Sequence, residues 1–341
     1  MSDGNFWILA AAVTIIVAAM TSTALIVGLS SWLKRYALAN PNARSSHRTP
    51  TPQGGGIAVI AATIVAVGVA LLLWPQTLTF DASLLPIAAA TVTIAAVGAI
   101  DDLRPLRIAP RLLLQALAVA AVICAVPADL RVLTIVPWWA ERFLLLIGGL
   151  WFINLVNFMD GIDLMTVAEV IPLTATLGAM GIMQALPANA TAVALALGGA
   201  TAGFAYFNRP VARLFLGDVG SLPIGLLLGW LLLLLAGGGH LIAAVLMPLY
   251  YLADTTVTLL RRLLRHEPVW QAHRTHFYQR ATDRGFTVAA VVSRVFLVNV
   301  GLCALALLTV VAPGAASGIL AVLGGATLVA GMLCAFARGK K

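Results

Sequence analysis

Side chains able to do chemistry are scarce in this chain, and they fall in five short segments. In Ala99-Ile100-Asp101-Asp102-Leu103-Arg104-Pro105, two adjacent carboxylates close an apolar stretch. Neighbouring carboxylates repel, so one is driven to hold a proton unless a cation shares them. The plain alternative is a solvated helix end beside Arg104 and Arg107. In Asn154-Leu-Val-Asn157-Phe-Met-Asp160-Gly161-Ile-Asp163, two amides and two carboxylates recur every third residue, near one face of a helix. Gly161 lets the backbone turn or approach a ligand closely. In Leu216-Gly217-Asp218-Val219-Gly220-Ser221, a carboxylate flanked by glycines opens an apolar run. It is either a helix cap or a metal carboxylate with bare backbone around it.

The fourth segment, His273-Arg274-Thr275-His276-Phe277-Tyr278-Gln279-Arg280, sets two histidines one helical turn apart. Arginine beside histidine suits an anionic phosphate. A zinc site is poorly supported without a cysteine or a third histidine nearby. His266 and Arg265 read as ordinary loop residues. The fifth runs from Asn42 through Arg48-Thr49-Pro50-Thr51-Pro52-Gln53 to Gly54-Gly55-Gly56. Bare glycine backbone next to basic and hydroxyl residues could cradle a phosphate, with Arg48, Thr49, Gly54 and Gly55 as its contacts. No GK[ST] follows, so it is not a Walker motif.

The elements that carry these segments are membrane spans. Of 341 residues, 61% are hydrophobic and 10% charged, whereas a soluble domain carries roughly a quarter charged residues. Eleven spans are expected, at about 6–33, 56–74, 83–100, 110–126, 142–156, 164–184, 190–206, 220–237, 240–259, 288–311 and 315–336. The shortest, 142–156, is the weakest. With that count, 19 of the 21 Lys and Arg lie on one side, which the positive-inside rule makes cytoplasmic. Only Arg131 and Arg142 fall outside. The N-terminus is then outside and the C-terminus cytoplasmic. The chain reads as one polytopic all-α domain, 1–341, with cytoplasmic segments at about 34–55, 101–111, 157–163, 207–219 and 260–287.

The net charge of +8 is therefore read as topology signal and contact with anionic membrane lipids, and it excludes nucleic acid as a partner. Pro137-Trp138-Trp139 reads as an interfacial anchor in the longest outside connection. Cys124, Cys303 and Cys334 form neither a metal spacing nor a disulfide framework.

In order and type, the five segments resemble the bacterial polyprenyl-phosphate N-acetylhexosamine-1-phosphate transferases, related to the lipid I-forming translocase. The resemblance runs from about Asn42 to Gly285, most specifically at NLVNFMDGID, LGDVGS and RTPTPQGGG. The span count looks like the O-antigen-initiating branch. The resemblance implies transfer of a sugar 1-phosphate from a UDP-N-acetylhexosamine to undecaprenyl phosphate, with release of UMP, at the bacterial inner membrane. It implies Mg²⁺ on Asp218, with Mn²⁺ as a substitute. Asp101 and Asp102 would position or deprotonate the lipid phosphate. Asn157, Asp160 and Asp163 would shape the nucleotide and metal side, and His273 and His276 would meet the diphosphate or sugar. Asn154, Gly161, Arg274 and Arg280 are further substrate contacts, and a homodimer is a further expectation. Two departures stand out. Pro105 replaces a third Asp often found there, and the HRTHFYQR loop resembles enzymes acting on N-acetylated 6-deoxyhexosamines. The chief rival is a secondary transporter, but transporters gather polar groups at the bilayer midplane, not at one face. A non-catalytic scaffold would tolerate loss of Asp218.

Overall fold

A computed structural model describes residues 3–39, 50–78, 81–268 and 273–340, with side chains from Trp7 onward. Arg48 and Thr49, expected to contact substrate, lie outside the described residues. The described chain is almost wholly helical, as an apolar chain must be when every backbone group needs an internal partner in lipid. Its helices are α1 Asp3–Tyr36, α2 Gly55–Leu73, α3 Leu84–Leu103, α4 Ile108–Ala125, α5 Trp138–Met159, α6 Met165–Ile182 and α7 Ala188–Asn208. They continue as α8 Asp218–Leu235, α9 Leu241–Leu246, α10 Leu249–Leu264, α11 Phe277–Asp283, α12 Val288–Val311 and α13 Ala315–Arg338. The only sheet among the described residues pairs Leu38–Ala39 with Thr51–Pro52.

Among the described residues, ten helices are long and apolar enough to cross a membrane, so the protein is an all-α integral membrane protein. The weakest expected span is a full 22-residue helix, because Trp138 and Trp139 belong to its first turn and not to the loop before it. A buried Glu141 in that turn accepts from Arg131 and from the Val132 and Leu133 N–H groups, tying down the long connection between α4 and α5.

The stretch expected as one span at 240–259 is broken. A glycine run, Ala236–His240, forms a π-helical turn with Gly239 at φ 92°, and Pro248 separates α9 from α10. Gly237 packs against Leu130 at one end of the bundle, while the Tyr251 hydroxyl of α10 reaches the Met165 carbonyl at the other. The two short helices thus return the chain in two pieces. The reason is visible in α10, whose buried stripe is Tyr250, Tyr251, Asp254, Thr255 and Thr258, polar groups at helical spacing.

The centre of the bundle is α8, apolar on all sides and buried over most of its length. It packs on α2, α3 and α5, while α7 packs on α1, α2 and α6. The start of α8, the end of α3, the start of α4 and the end of α5 therefore meet at one end of the molecule.

Candidate functional site

That meeting point holds the carboxylates. Gly217 precedes α8 with φ 77°, a conformation L side chains rarely adopt. The exposed N–H groups of the α8 N-terminus need an acceptor, and it comes from another helix. Asp102, in the last turn of α3, accepts the Asp218 N–H at 3.0 Å and the Val219 N–H at 3.1 Å, one on each oxygen. Close approach makes this possible. A Cβ on Gly98 would fall 2.3 Å from the Asp218 carbonyl oxygen, and a Cβ on Gly56 would fall 2.2 Å from Gly220 Cα. The sequence left Asp218 as either a cap or a metal carboxylate. Asp102 does the capping, so the Asp218 carboxylate faces other groups.

Those groups are Asn157 and Arg111. Asn157 Nδ2 donates to Asp218 Oδ1 at 2.7 Å and to Ser221 Oγ at 2.9 Å. Arg111 Nη2 lies 3.3 Å from Asp218 Oδ2 and donates to Asn157 Oδ1 at 3.1 Å. Its other terminal nitrogen pairs with Asp101, whose second oxygen accepts the Leu106 N–H at 2.6 Å. The cation that shares the aspartate pair is thus Arg111, not Arg104 or Arg107. Sequence reasoning passed over Arg111, although a lone arginine in the first turn of the span after the aspartates was the available signal.

The Asn154–Asp163 segment does not continue as a helix through its carboxylates. The α5 helix stops at Met159 with Asp160 as its C-cap. The Thr166 hydroxyl donates to Asp160 at 2.5 Å, and Asp163 accepts the Ala212 N–H at 3.0 Å, fixing the loop that leads to Gly217. Crowding by surrounding protein pushes the Asp160 carboxyl up to about 8, against the pull of the Thr166 hydroxyl and with help from the negative Asp218, Asp102 and Asp163. Asn154 turns to Gln115 Oε1 at 2.7 Å instead of to the carboxylates.

Five expected substrate contacts lie against other parts of the protein. The Gly55 N–H donates to the Phe215 carbonyl and the Gly56 N–H to the Leu216 carbonyl, both at 2.9 Å, so these two amides dock a loop and are not free to cradle phosphate. Gly54, at φ 106°, makes the turn into α2. Gly161 admits protein, not ligand: a Cβ there would sit 2.1 Å from the Tyr278 hydroxyl, which donates to the Phe158 carbonyl. Arg274 pairs with Asp283 at 2.9 Å, and Arg280 stands among Arg284, Arg261 and Arg265. Neither arginine joins the carboxylates.

The histidines do come together, with ring centroids 5.0 Å apart, and His276 also stacks on Tyr278 at 5.8 Å. His276 is buried. Burial, then the neighbouring His276 and Arg262, push His273 down to about 4, so it is neutral at pH 7. Tyr278 and the Phe158 ring, 6.4 Å from His276, place this pair beside the Asp160 loop.

The donors at the carboxylate end are hard oxygens, which suits Mg²⁺. Among the described residues, no three His, Cys, Asp or Glu side chains converge as a metal cage. A Mg²⁺ ion bound by one or two carboxylates, water and phosphate oxygens needs no such cage, so the residues fit it. Beside them opens a largely apolar groove of about 400 Å³ between α4, α5 and α10, lined by Ile108, Leu112, Trp151 and Leu259, with Arg111 and Asn154 as its polar members.

Residues 84–236 match the model of glycosyl transferase family 4. The chain is 25% identical over 306 residues to a probable undecaprenyl-phosphate N-acetylglucosaminyl 1-phosphate transferase of Bacillus subtilis (strain 168), covering 84% of this chain and 82% of that protein. It is 29% identical over 210 residues to a decaprenyl-phosphate N-acetylglucosaminephosphotransferase of Mycobacterium tuberculosis (strain ATCC 25618 / H37Rv), covering 56% of this chain and 52% of that one. It is 40% identical over 76 residues to a phospho-N-acetylmuramoyl-pentapeptide-transferase of Wolbachia pipientis wMel, covering 22% and 23%.

Proposed function

We propose, from the match of residues 84–236 to the glycosyl transferase family 4 model, that this protein transfers a sugar 1-phosphate from a UDP-N-acetylhexosamine to undecaprenyl phosphate. The observation that carries the reading is the junction of two unlike surfaces. A carboxylate cluster with one shared arginine opens directly onto an apolar groove between helices. A polyprenyl phosphate needs both, a greasy track for its tail and a charged end for its phosphate. A transporter would need neither the crowding of polar groups at one end nor an apolar groove lined by Arg111.

In this reading Arg111 meets the lipid phosphate where the groove ends, and Asp101 holds Arg111 in place. Asp218 would hold Mg²⁺, which would supply a positive centre offsetting repulsion between the two phosphate-bearing substrates, with Asp160 shaping the metal side. Asn157 orients Asp218, and Asp102 fixes the α8 N-terminus on which Asp218 and Ser221 stand. A lipid phosphate oxygen attacks the sugar-bearing β-phosphorus. A new P–O bond forms to the lipid phosphate, the bond from the β-phosphorus to the bridging oxygen breaks, and that oxygen leaves with UMP. His273 and His276 lie toward the diphosphate or sugar. The reaction end faces the cytosol of a bacterial inner membrane, where UDP-sugars are made.

The donor is UDP-N-acetylglucosamine or an N-acetylated 6-deoxyhexosamine analogue. Labelled donors given to purified protein with undecaprenyl phosphate and Mg²⁺ should yield label in the butanol phase. A marked preference for UDP-N-acetylmuramoyl-pentapeptide would reassign the branch. Uptake of intact donor into vesicles, with no lipid-linked label, would favour the transporter.

A further inference from the structure

Asp254 has no part in the chemistry above, yet five hydrogen-bonding groups surround its carboxylate. It sits on α10, fully buried. Oδ1 accepts the Phe277 N–H at 3.0 Å and lies 3.2 Å from His276 Nδ1 and 3.4 Å from the Thr258 hydroxyl. Oδ2 accepts the Tyr278 N–H at 3.2 Å and the Tyr250 hydroxyl at 3.1 Å. The two backbone groups open α11, so Asp254 caps that helix from a neighbour, as Asp102 caps α8.

A cap needs only the backbone donors. The His276 ring is an added contact, and it has a chemical consequence. A carboxylate oxygen can only accept, so Nδ1 must carry the hydrogen. That leaves Nε2 as the ring atom available to a substrate. The ring plane is held by stacking between His273 and Tyr278. Carboxylate partners of functional histidines set tautomer and orientation in this way.

We propose that Asp254 is a positioning residue of the transfer reaction, holding His276 so that Nε2 is presented to a substrate oxygen. This rests on the transferase reading. The competing account is that Asp254 only caps α11.

A double-mutant cycle separates the two. Asp254→Asn keeps the side-chain shape, and His276→Asn keeps a good N-cap. Each single substitution should lower kcat about 10- to 100-fold, with KM for the UDP-sugar within about threefold. The double variant should be no slower than the slower single, within about twofold. Losses that multiply in the double variant, or near-normal turnover of Asp254→Asn, would overturn the proposal. A second readout uses wild-type protein carrying ¹⁵N-histidine. The resonance lost in His276→Asn should report hydrogen on Nδ1 at neutral pH, and hydrogen on Nε2 alone would overturn the pairing. Because the NMR arm needs no turnover, an inactive wild-type protein would sink the transferase reading without deciding the Asp254–His276 contact.

Discussion

Both oxygens of Asp102 accept backbone N–H groups of α8, so Asp102→Asn would turn an amide NH₂ against one of them. That loss should cost about 1–3 kcal/mol of stability, measurable as a lower unfolding midpoint in detergent. Asp218 makes no such contact. Asp218→Asn should unfold normally but lose about a thousandfold in rate if it carries Mg²⁺, read as turnover across a Mg²⁺ titration. Asp160 offers a pH test. Its folded-state value near 8 lies above that of an unfolded Asp, so the folded protein keeps a proton that the unfolded chain has lost. The protein is therefore destabilised progressively as pH rises from about 4 to 8, and the carboxyl ionises above that. The infrared carboxylic-acid band at pH 7 should lose one carboxyl's share of its intensity in Asp160→Asn, and wild type minus variant should show that share vanish by about pH 9; identical bands in the two proteins would contradict the assignment. The types and order of these residues were readable in the sequence. Their division of labour was not, because Asp102 and Asp218 are 116 positions apart and only packing decides which of them caps α8.

At the scale of elements, the site depends on glycines that let α2, α3 and α8 touch. Gly56→Ala would press a methyl group into the Gly220 backbone, forcing α2 from α8 and costing about 1–3 kcal/mol. Gly68→Ala, on the same helix in open space, should be neutral or stabilising by up to about 1 kcal/mol. Thermal unfolding of the pair checks this, and equal effects would mean that the close packing is not needed. Nearly every span followed from hydropathy. The broken return through α9 and α10 did not, because the hydropathy of 240–259 averages over the Pro248 break and over polar residues that α10 buries. The glycine run at 54–56 was ambiguous for a related reason: bare backbone suits a phosphate and a neighbouring loop equally well, and here the Phe215 and Leu216 carbonyls take the Gly55 and Gly56 amides.

For the molecule as a whole, the charge asymmetry gives an orientation to test. Cysteines placed at Ala128 and at Thr275, in a background without Cys124, Cys303 and Cys334, should differ. An impermeant reagent should label the first from outside intact cells and leave the second untouched, and labelling of both would contradict the orientation. The central claim is tested most directly by what leaves the donor. Purified protein supplied with undecaprenyl phosphate, Mg²⁺ and a panel of UDP-N-acetylhexosamines should release UMP in step with lipid-linked sugar, and only when the lipid phosphate is present. Release of UDP would mean ordinary glycosyl transfer, and no nucleotide release from any donor by monodisperse protein would contradict the account.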